Sequence, residues 1–292
     1  MIVQILTNGL VTALVYSLIA LGFALIYRTT RIFHFAYAST YTVAGYVFYT
    51  SFSLFHLPVI LAVMITLLSA AAFGVSVDRL VYSPLIRRSS SVLLLLLSSL
   101  ALDSIIVNLI AIVYGNQTKV LVAGLQPTYS IGNVVLSRIQ IAIVCTSIGV
   151  LGIVTIILFK TNIGKIIRAA CDDSQLLMNF GVSGHAIRLG AFAIGSAICA
   201  LPAFLVATDV GITPFVGTKA MLKAAVAVII GGPRIFYGAI AGAFLIGLLE
   251  ALTVWLLSAK WSDLATFAIL FLFLLCRPQG MTLSTARVDF QQ

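Results

Sequence analysis

Apolar residues fall in long unbroken blocks along this chain, and polar residues are confined to the short breaks between them. The blocks run approximately over 2–27, 33–53, 57–77, 92–114, 138–159, 188–208, 212–230, 238–257 and 261–276. A membrane-crossing helix needs roughly 20 apolar residues, and all the blocks but the short last one are close to that length. None alternates like the roughly ten-residue strands of a membrane barrel, so each is read as a helix. Pro214, Pro233 and the pair Gly231-Gly232 interrupt 209–237 and predict a broken or re-entrant span there. The count is therefore eight to ten. The predicted fold class is all-α: a polytopic membrane helix bundle, one transmembrane domain over 1–292.

Composition sharpens this. Apolar residues make up 61% of the 292 positions and charged residues only 9%, against about 25% charged in soluble domains. A soluble globular domain, a disordered chain and a disulfide-rich module are excluded, and no room remains for a soluble catalytic domain. The net charge of +9 does not mark a nucleic-acid binder, because the basic residues are scattered singly. Twelve of the 17 Lys and Arg fall in 28–32, 78–91, 160–188, 231–237 and the C-terminal tail. The positive-inside rule makes that side cytoplasmic, with the N-terminus outside and the C-terminus inside. Cys145, Cys171, Cys199 and Cys276 lie in or beside apolar stretches without metal or redox spacing, and are read as inert thiols. No basic residue precedes Arg28, so the first block lacks the start of a cleaved signal and reads as a retained helix.

Two loops stand out. The outer stretch 115–137 is rich in glycine and turn residues and fits either an ordered cover or a long connection. The cytoplasmic stretch 160–188 is the one sizeable polar segment. Asp172 and Asp173 suit a helix N-terminus, Gly181 a C-terminal cap and Ser183 the cap of the next span. This predicts a helix of about eight residues, roughly 12 Å long, with Leu176, Leu177 and Phe180 on its apolar side. It is either a connector on the bilayer surface or a docking helix for a soluble partner.

Asn8-Gly9-Leu10 with Tyr16, Leu18, Ala20, Gly22 and Tyr27 resembles the first span of the branched-chain amino acid permease family. The likeness continues through Asp78-Arg79-Leu80-Val81-Tyr82-Ser83-Pro84-Leu85 and Gly164-Lys165-Ile166-Ile167-Arg168-Ala169-Ala170. It then runs through Asn179-Phe180-Gly181-Val182, Pro214-Phe215-Val216-Gly217, Lys223-Ala224 and Gly247-Leu248-Leu249-Glu250. Two pieces depart from it. The family's Asn-Phe-Ala-His-Gly run is here His34-Phe35-Ala36-Tyr37-Ala38, and the Gly-Gly pair is followed by Pro233-Arg234-Ile235-Phe236-Tyr237. The resemblance implies the membrane subunit of an ABC importer in a bacterial or archaeal cell membrane. Its implied partners are a second homologous permease, cytoplasmic ATPases and a periplasmic or extracellular substrate-binding protein. It implies no cofactor in this chain, ATP and Mg belonging to the ATPases. It also implies that 160–188 is the coupling loop, with Gly164, Lys165, Arg168, Asp172, Asp173, Leu176, Asn179 and Gly181 as contact residues. The implied solute is a branched-chain amino acid, or urea, a short amide or another small solute.

An ionisable residue inside a membrane is expensive and is a functional candidate by default. Asp103, Lys223 and Glu250 lie within apolar blocks and Asp209 at the end of one. They fit either bundle-locking interhelical bonds, a Lys223–Glu250 pair among them, or a translocation path. Asn8, Tyr16, Tyr37, Tyr41, Phe215 and Gly217 complete the path candidates. The repeated small residues Gly9/Ala13 and Gly238/Gly242/Gly247 fit close helix packing. Gly211, Gly217, Gly231 and Gly232 fit unwound helix ends beside a cavity. Without a G-x-x-x-x-G-K-[ST] motif the chain holds no nucleotide site, since Gly211–Lys219 has the wrong spacing. The chain is thus read as a non-enzyme. An ion-coupled transporter using Asp103 and Glu250 is the alternative.

Overall fold

The structure, a computed structural model, describes residues 2–121, 127–132, 134–172, 181, 183–232, 236–277 and 280–281. Among the described residues ten helices follow one another: α1 (Ile2–Thr30), α2 (Tyr37–Tyr49), α3 (Val59–Arg87), α4 (Val92–Tyr114), α5 (Arg138–Lys160), α6 (Asn162–Asp172), α7 (Gly184–Val210), α8 (Val216–Gly231), α9 (Phe236–Leu256) and α10 (Ser262–Cys276). An antiparallel hairpin, β1 (Thr128–Ile131) and β2 (Val134–Ser137), precedes α5. Among the described residues seven helices, α10 counted with the short turn before it, are long and apolar enough to cross a membrane.

The helix α1 is buried on nearly all sides from Val11 to Ile26, as expected of a helix inside a bundle. It packs against α7, α8 and α9. The small residues supply the closeness. Gly9 meets Leu248 and Ala251, and a methyl on Gly247 would come within 2.5 Å of the Ala13 backbone. Gly231 and Gly242 abut the backbone of Gly238 and Ala227, so α8 and α9 touch main chain to main chain. Here the glycines seat helices on each other. By contrast α4, α5 and α10 turn apolar side chains such as Leu109, Ile153 and Leu275 outward.

The other two long apolar blocks give short helices. α2 has 13 residues and ends in a widened turn, closed by the Phe55 N–H on the Thr50 carbonyl at 2.9 Å. α8 has 16. Each follows a non-helical lead-in, 31–36 and 211–215. The break expected in 209–237 is present. The one before α2 departs from expectation, because the apolar run Phe33-His34-Phe35-Ala36 reads as helix in the sequence. Buried non-helical backbone must find other partners: the Phe35 N–H donates to Ser99 Oγ at 3.2 Å and the Tyr37 N–H to the His34 carbonyl at 3.2 Å. The two short helices pack on each other, Gly217 against the Ala38 carbonyl, while Thr42 Oγ1 donates to the Pro214 carbonyl at 3.3 Å.

The loops sort to two ends. At one end Gln4 exchanges hydrogen bonds with the Val135 backbone at 2.9 and 2.7 Å, and Lys119 pairs with Ile212. The described part of 115–137 is therefore tied to α1 and to the lead-in of α8. At the other end Arg31 donates to the Cys171 carbonyl at 2.9 Å and Arg188 contacts Asp78 at 2.7 Å.

The helix α6 is an element the sequence reading does not include: 11 residues, ending at Asp172. The short helix expected after Asp172 and Asp173 falls on 173–180, outside the described residues. Thr161 starts α6, its Oγ1 accepting from the Gly164 N–H at 3.1 Å. Gly164, Ile167, Ala170 and Cys171 form its buried side. The Thr161 cap and this spacing are both present in the sequence. Gly181 has the expected positive φ, 81°, and Ser183 caps α7 through the Ala186 N–H at 3.2 Å.

Candidate functional site

A cavity of about 520 Å³ lies among α1, α2, α5, α7, α8 and α9. Its apolar wall is Val11, Val15, Ile19, Ile143, Val206 and Val216; its polar groups are Asn8, Thr12, Tyr16, Gln140, Asp209, Lys219, Lys223 and Glu250. Each polar group reaches it for a local reason. Asn8, Thr12 and Tyr16 stand four apart and so share one face of α1. A capping box, Ser137 with Gln140, starts α5 and fixes Gln140 there. Lys219 and Lys223 are one turn apart on α8.

At one side of the cavity the charges are tied together. Lys223 Nζ lies 2.6 Å from Glu250 Oε1 and 3.3 Å from Asp263 Oδ1. Tyr16 Oη donates to Glu250 Oε2 at 2.7 Å, Ser262 Oγ donates to Glu250 Oε1 at 2.7 Å, and Lys223 donates to Tyr16 Oη at 3.0 Å. Four helices thus meet on one carboxylate and one ammonium. Elsewhere in the lining, Asp209 accepts a long bond from Ser137 Oγ, 3.5 Å, as its one side-chain hydrogen bond among the described residues, and Lys219, one turn from Lys223, has no ion-pair or side-chain hydrogen-bond partner among them.

Of the predicted path residues, Asn8, Tyr16, Tyr41, Lys223 and Glu250 line this cavity. The others do not. Tyr37 is fully buried, donating to the Ile19 carbonyl at 3.1 Å. Asp103 is buried on α4, where Ser39 Oγ donates to it. Gly217 is packed on α2, and Phe215 is half exposed. Sequence reasoning leaves Gln140 and Thr12 aside and gives Lys219 a topological role only. Its place four residues before Lys223 is the available signal.

Of the predicted coupling residues, Asp173, Leu176 and Asn179 lie outside the described residues. Gly164 is buried against the end of α5, while Lys165 and Asp172 are exposed. Arg168 lies over the Phe159 ring at 5.0 Å. Burial pushes the Cys171 thiol up, with Arg28 opposing, so that sulfur stays protonated and adds no anion to this face.

Residues 5–274 match the family model of the branched-chain amino acid transport system permease component. The chain belongs to this permease family. It is 28% identical to the high-affinity branched-chain amino acid transport system permease protein BraD of Pseudomonas aeruginosa, over 95% of this chain and 94% of that one. It is 27% identical to the corresponding protein LivH of Escherichia coli, again over 95% and 94%. The fold is shared with PsaBC from Streptococcus pneumoniae, solved in complex with Fab, at a TM-score of 0.53 and 12% identity over 94% of this chain and 93% of that one. The permease is a multi-pass membrane protein.

Proposed function

We propose that this permease is the membrane subunit of an ABC importer that carries a small amino-acid-like solute, a branched-chain amino acid first, into the cytoplasm by ATP-driven alternating access. The observation that carries the reading is the cavity. It sets an ammonium without a carboxylate partner among the described residues (Lys219) and a nearly free carboxylate (Asp209) beside a wall of Val and Ile side chains. A zwitterion with a branched alkyl group is complementary to that set: its carboxylate faces Lys219, its ammonium Asp209, its alkyl group the wall. Urea or a short amide would leave both charges unanswered. The names of BraD and LivH support the same solute class.

Energy comes from partner ATPases, with Mg and ATP bound there. The loop holding α6, with Lys165, Arg168, Asp172 and Asp173, is their contact. The N-terminus is outside and the C-terminus cytoplasmic. ATP binding closes the ATPases and turns the cavity toward the binding protein; hydrolysis resets it inward. An ion-coupled mechanism is disfavoured because Glu250 already satisfies three donors.

Proteoliposomes holding the permease with its co-expressed partners take up labelled leucine only with Mg-ATP. Lys219→Gln raises the half-saturating leucine concentration by roughly ten- to a hundred-fold, the loss of a hydrogen bond to a charged group. Asp172→Lys with Asp173→Lys lowers solute-stimulated ATP hydrolysis while the chain still inserts. Uptake that ignores ATP and follows an ion gradient would overturn the reading.

A further inference from the structure

At the end of the bundle opposite the Gln4–Val135 contact, Arg79, Ser83, Pro84, Arg87, Arg88 and His185 line a shallow cavity of about 490 Å³. It plays no part in the solute path. We propose that it binds the phosphate-bearing headgroup of an anionic phospholipid from the adjacent leaflet.

The charge is one-sided. Asp78, one residue before Arg79, is fully buried and engaged by Arg188 at 2.7 Å. Among the described residues no carboxylate lies within ion-pair distance of Arg79, Arg87 or Arg88. The floor is already organised by the same Arg188, whose Nη2 donates to Ser83 Oγ at 2.9 Å and lies 3.1 Å from His185 Nδ1. If that nitrogen accepts, as a cationic donor requires, the His185 proton sits on Nε2 and offers one more donor. Three guanidiniums and an imidazole N–H with no internal acceptor among the described residues suit the oxygens of a phosphodiester.

The occupant is an amphiphile because the pocket straddles two surfaces. Arg79 is followed directly by Leu80, 77% exposed, and Arg88 is followed four residues on by Val92, 70% exposed. A soluble anion would use the arginines and leave these side chains bare. A phospholipid places its phosphate on the arginines and its acyl chains along Leu80 and Val92, and basic pockets at the polar edge of transmembrane helices recognise such headgroups. A soluble protein partner would have to cover apolar residues of the spans themselves.

The test is native mass spectrometry of the detergent-purified permease titrated with phosphatidylglycerol, phosphatidylcholine or inorganic phosphate. Phosphatidylglycerol is retained in preference to the other two. Arg79→Gln, Arg87→Gln and Arg88→Gln together weaken it by roughly a hundred-fold, and each alone by roughly five-fold. Arg138→Gln, at the opposite end of the bundle, leaves it unchanged. The single variants decide the matter if the triple variant does not fold. Equal retention of the two lipids, or retention by the single variants at the wild-type level, overturns the proposal. So does arginine-dependent binding of inorganic phosphate without the lipid, which makes this a soluble-anion site. Loss of co-purifying ATPase in the arginine variants with lipid retention intact overturns it in favour of a protein contact.

Discussion

Asp78–Arg188 and Lys223–Glu250 both join helices through buried charge, yet they are built differently. The first is a clasp between α3 and α7: a fully buried carboxylate with one guanidinium in contact. The second is shared. Glu250 faces Lys223, Tyr16 and Ser262, and Lys223 also faces Asp263. Burying an ion is offset only when its partner and hydrogen bonds are in place. A clasp meets that condition with one contact and fails when either member is lost. A network meets it with several, so it can lose one and rearrange. The clasp closes one end of the bundle, and the network borders the cavity, where a passing solute changes the local charge.

The largest effect is therefore expected at the clasp. Arg188→Gln leaves the Asp78 carboxylate buried and unpaired and destabilises the permease by about 3–5 kcal/mol. Arg188→Gln with Asp78→Asn recovers most of that. Thermal unfolding in nanodiscs measures both, and a double variant no better than the single one would show that the contact is not a clasp.

The network breaks more gently. Lys223→Gln leaves Glu250 with two hydroxyl donors, so the loss is about 1–3 kcal/mol. Exchanging the pair, Lys223→Glu with Glu250→Lys, restores only part of it, since Asp263 then faces a like charge. A loss as large as that of Arg188→Gln would erase the distinction between the two regions.

How each pair announces itself in the sequence follows from the same physics. Lys223 and Glu250 lie inside apolar blocks, where an ion is anomalous, so the residue pattern alone suggests their pairing. Asp78 and Arg188 sit at block edges, where ions are ordinary, and there Arg188 counts only toward topology. The helices α1, α4, α5, α7 and α9 are legible for a related reason: apolar length alone marks a span. Apolar length does not distinguish helix from buried irregular chain, so the pattern misplaces Phe33–Ala36, where the Phe35 N–H is satisfied by a residue 64 positions away, Ser99. The cavity joins residues up to 242 positions apart, from Asn8 to Glu250. No local pattern reports that, which is why Lys219 is easily overlooked beside the more conspicuous Lys223.

The smallest effect sharpens the comparison furthest. Asp263 lies 3.3 Å from Lys223 but is 52% exposed, so solvent screens the pair. Asp263→Asn alone should change stability by no more than about 0.5 kcal/mol. In a Glu250→Gln background, however, Asp263 is the carboxylate left beside Lys223 among the described residues, and the same substitution then costs about 1 kcal/mol or more. A double-mutant cycle in nanodiscs reads the difference as a coupling energy. Additive losses would mean that Lys223 depends on Glu250 alone and that the network is a second clasp. A positive coupling means that the ammonium moves its weight from one carboxylate to the other. That freedom is what a charged group beside a solute path needs and what Arg188, committed to a fully buried partner, does not have.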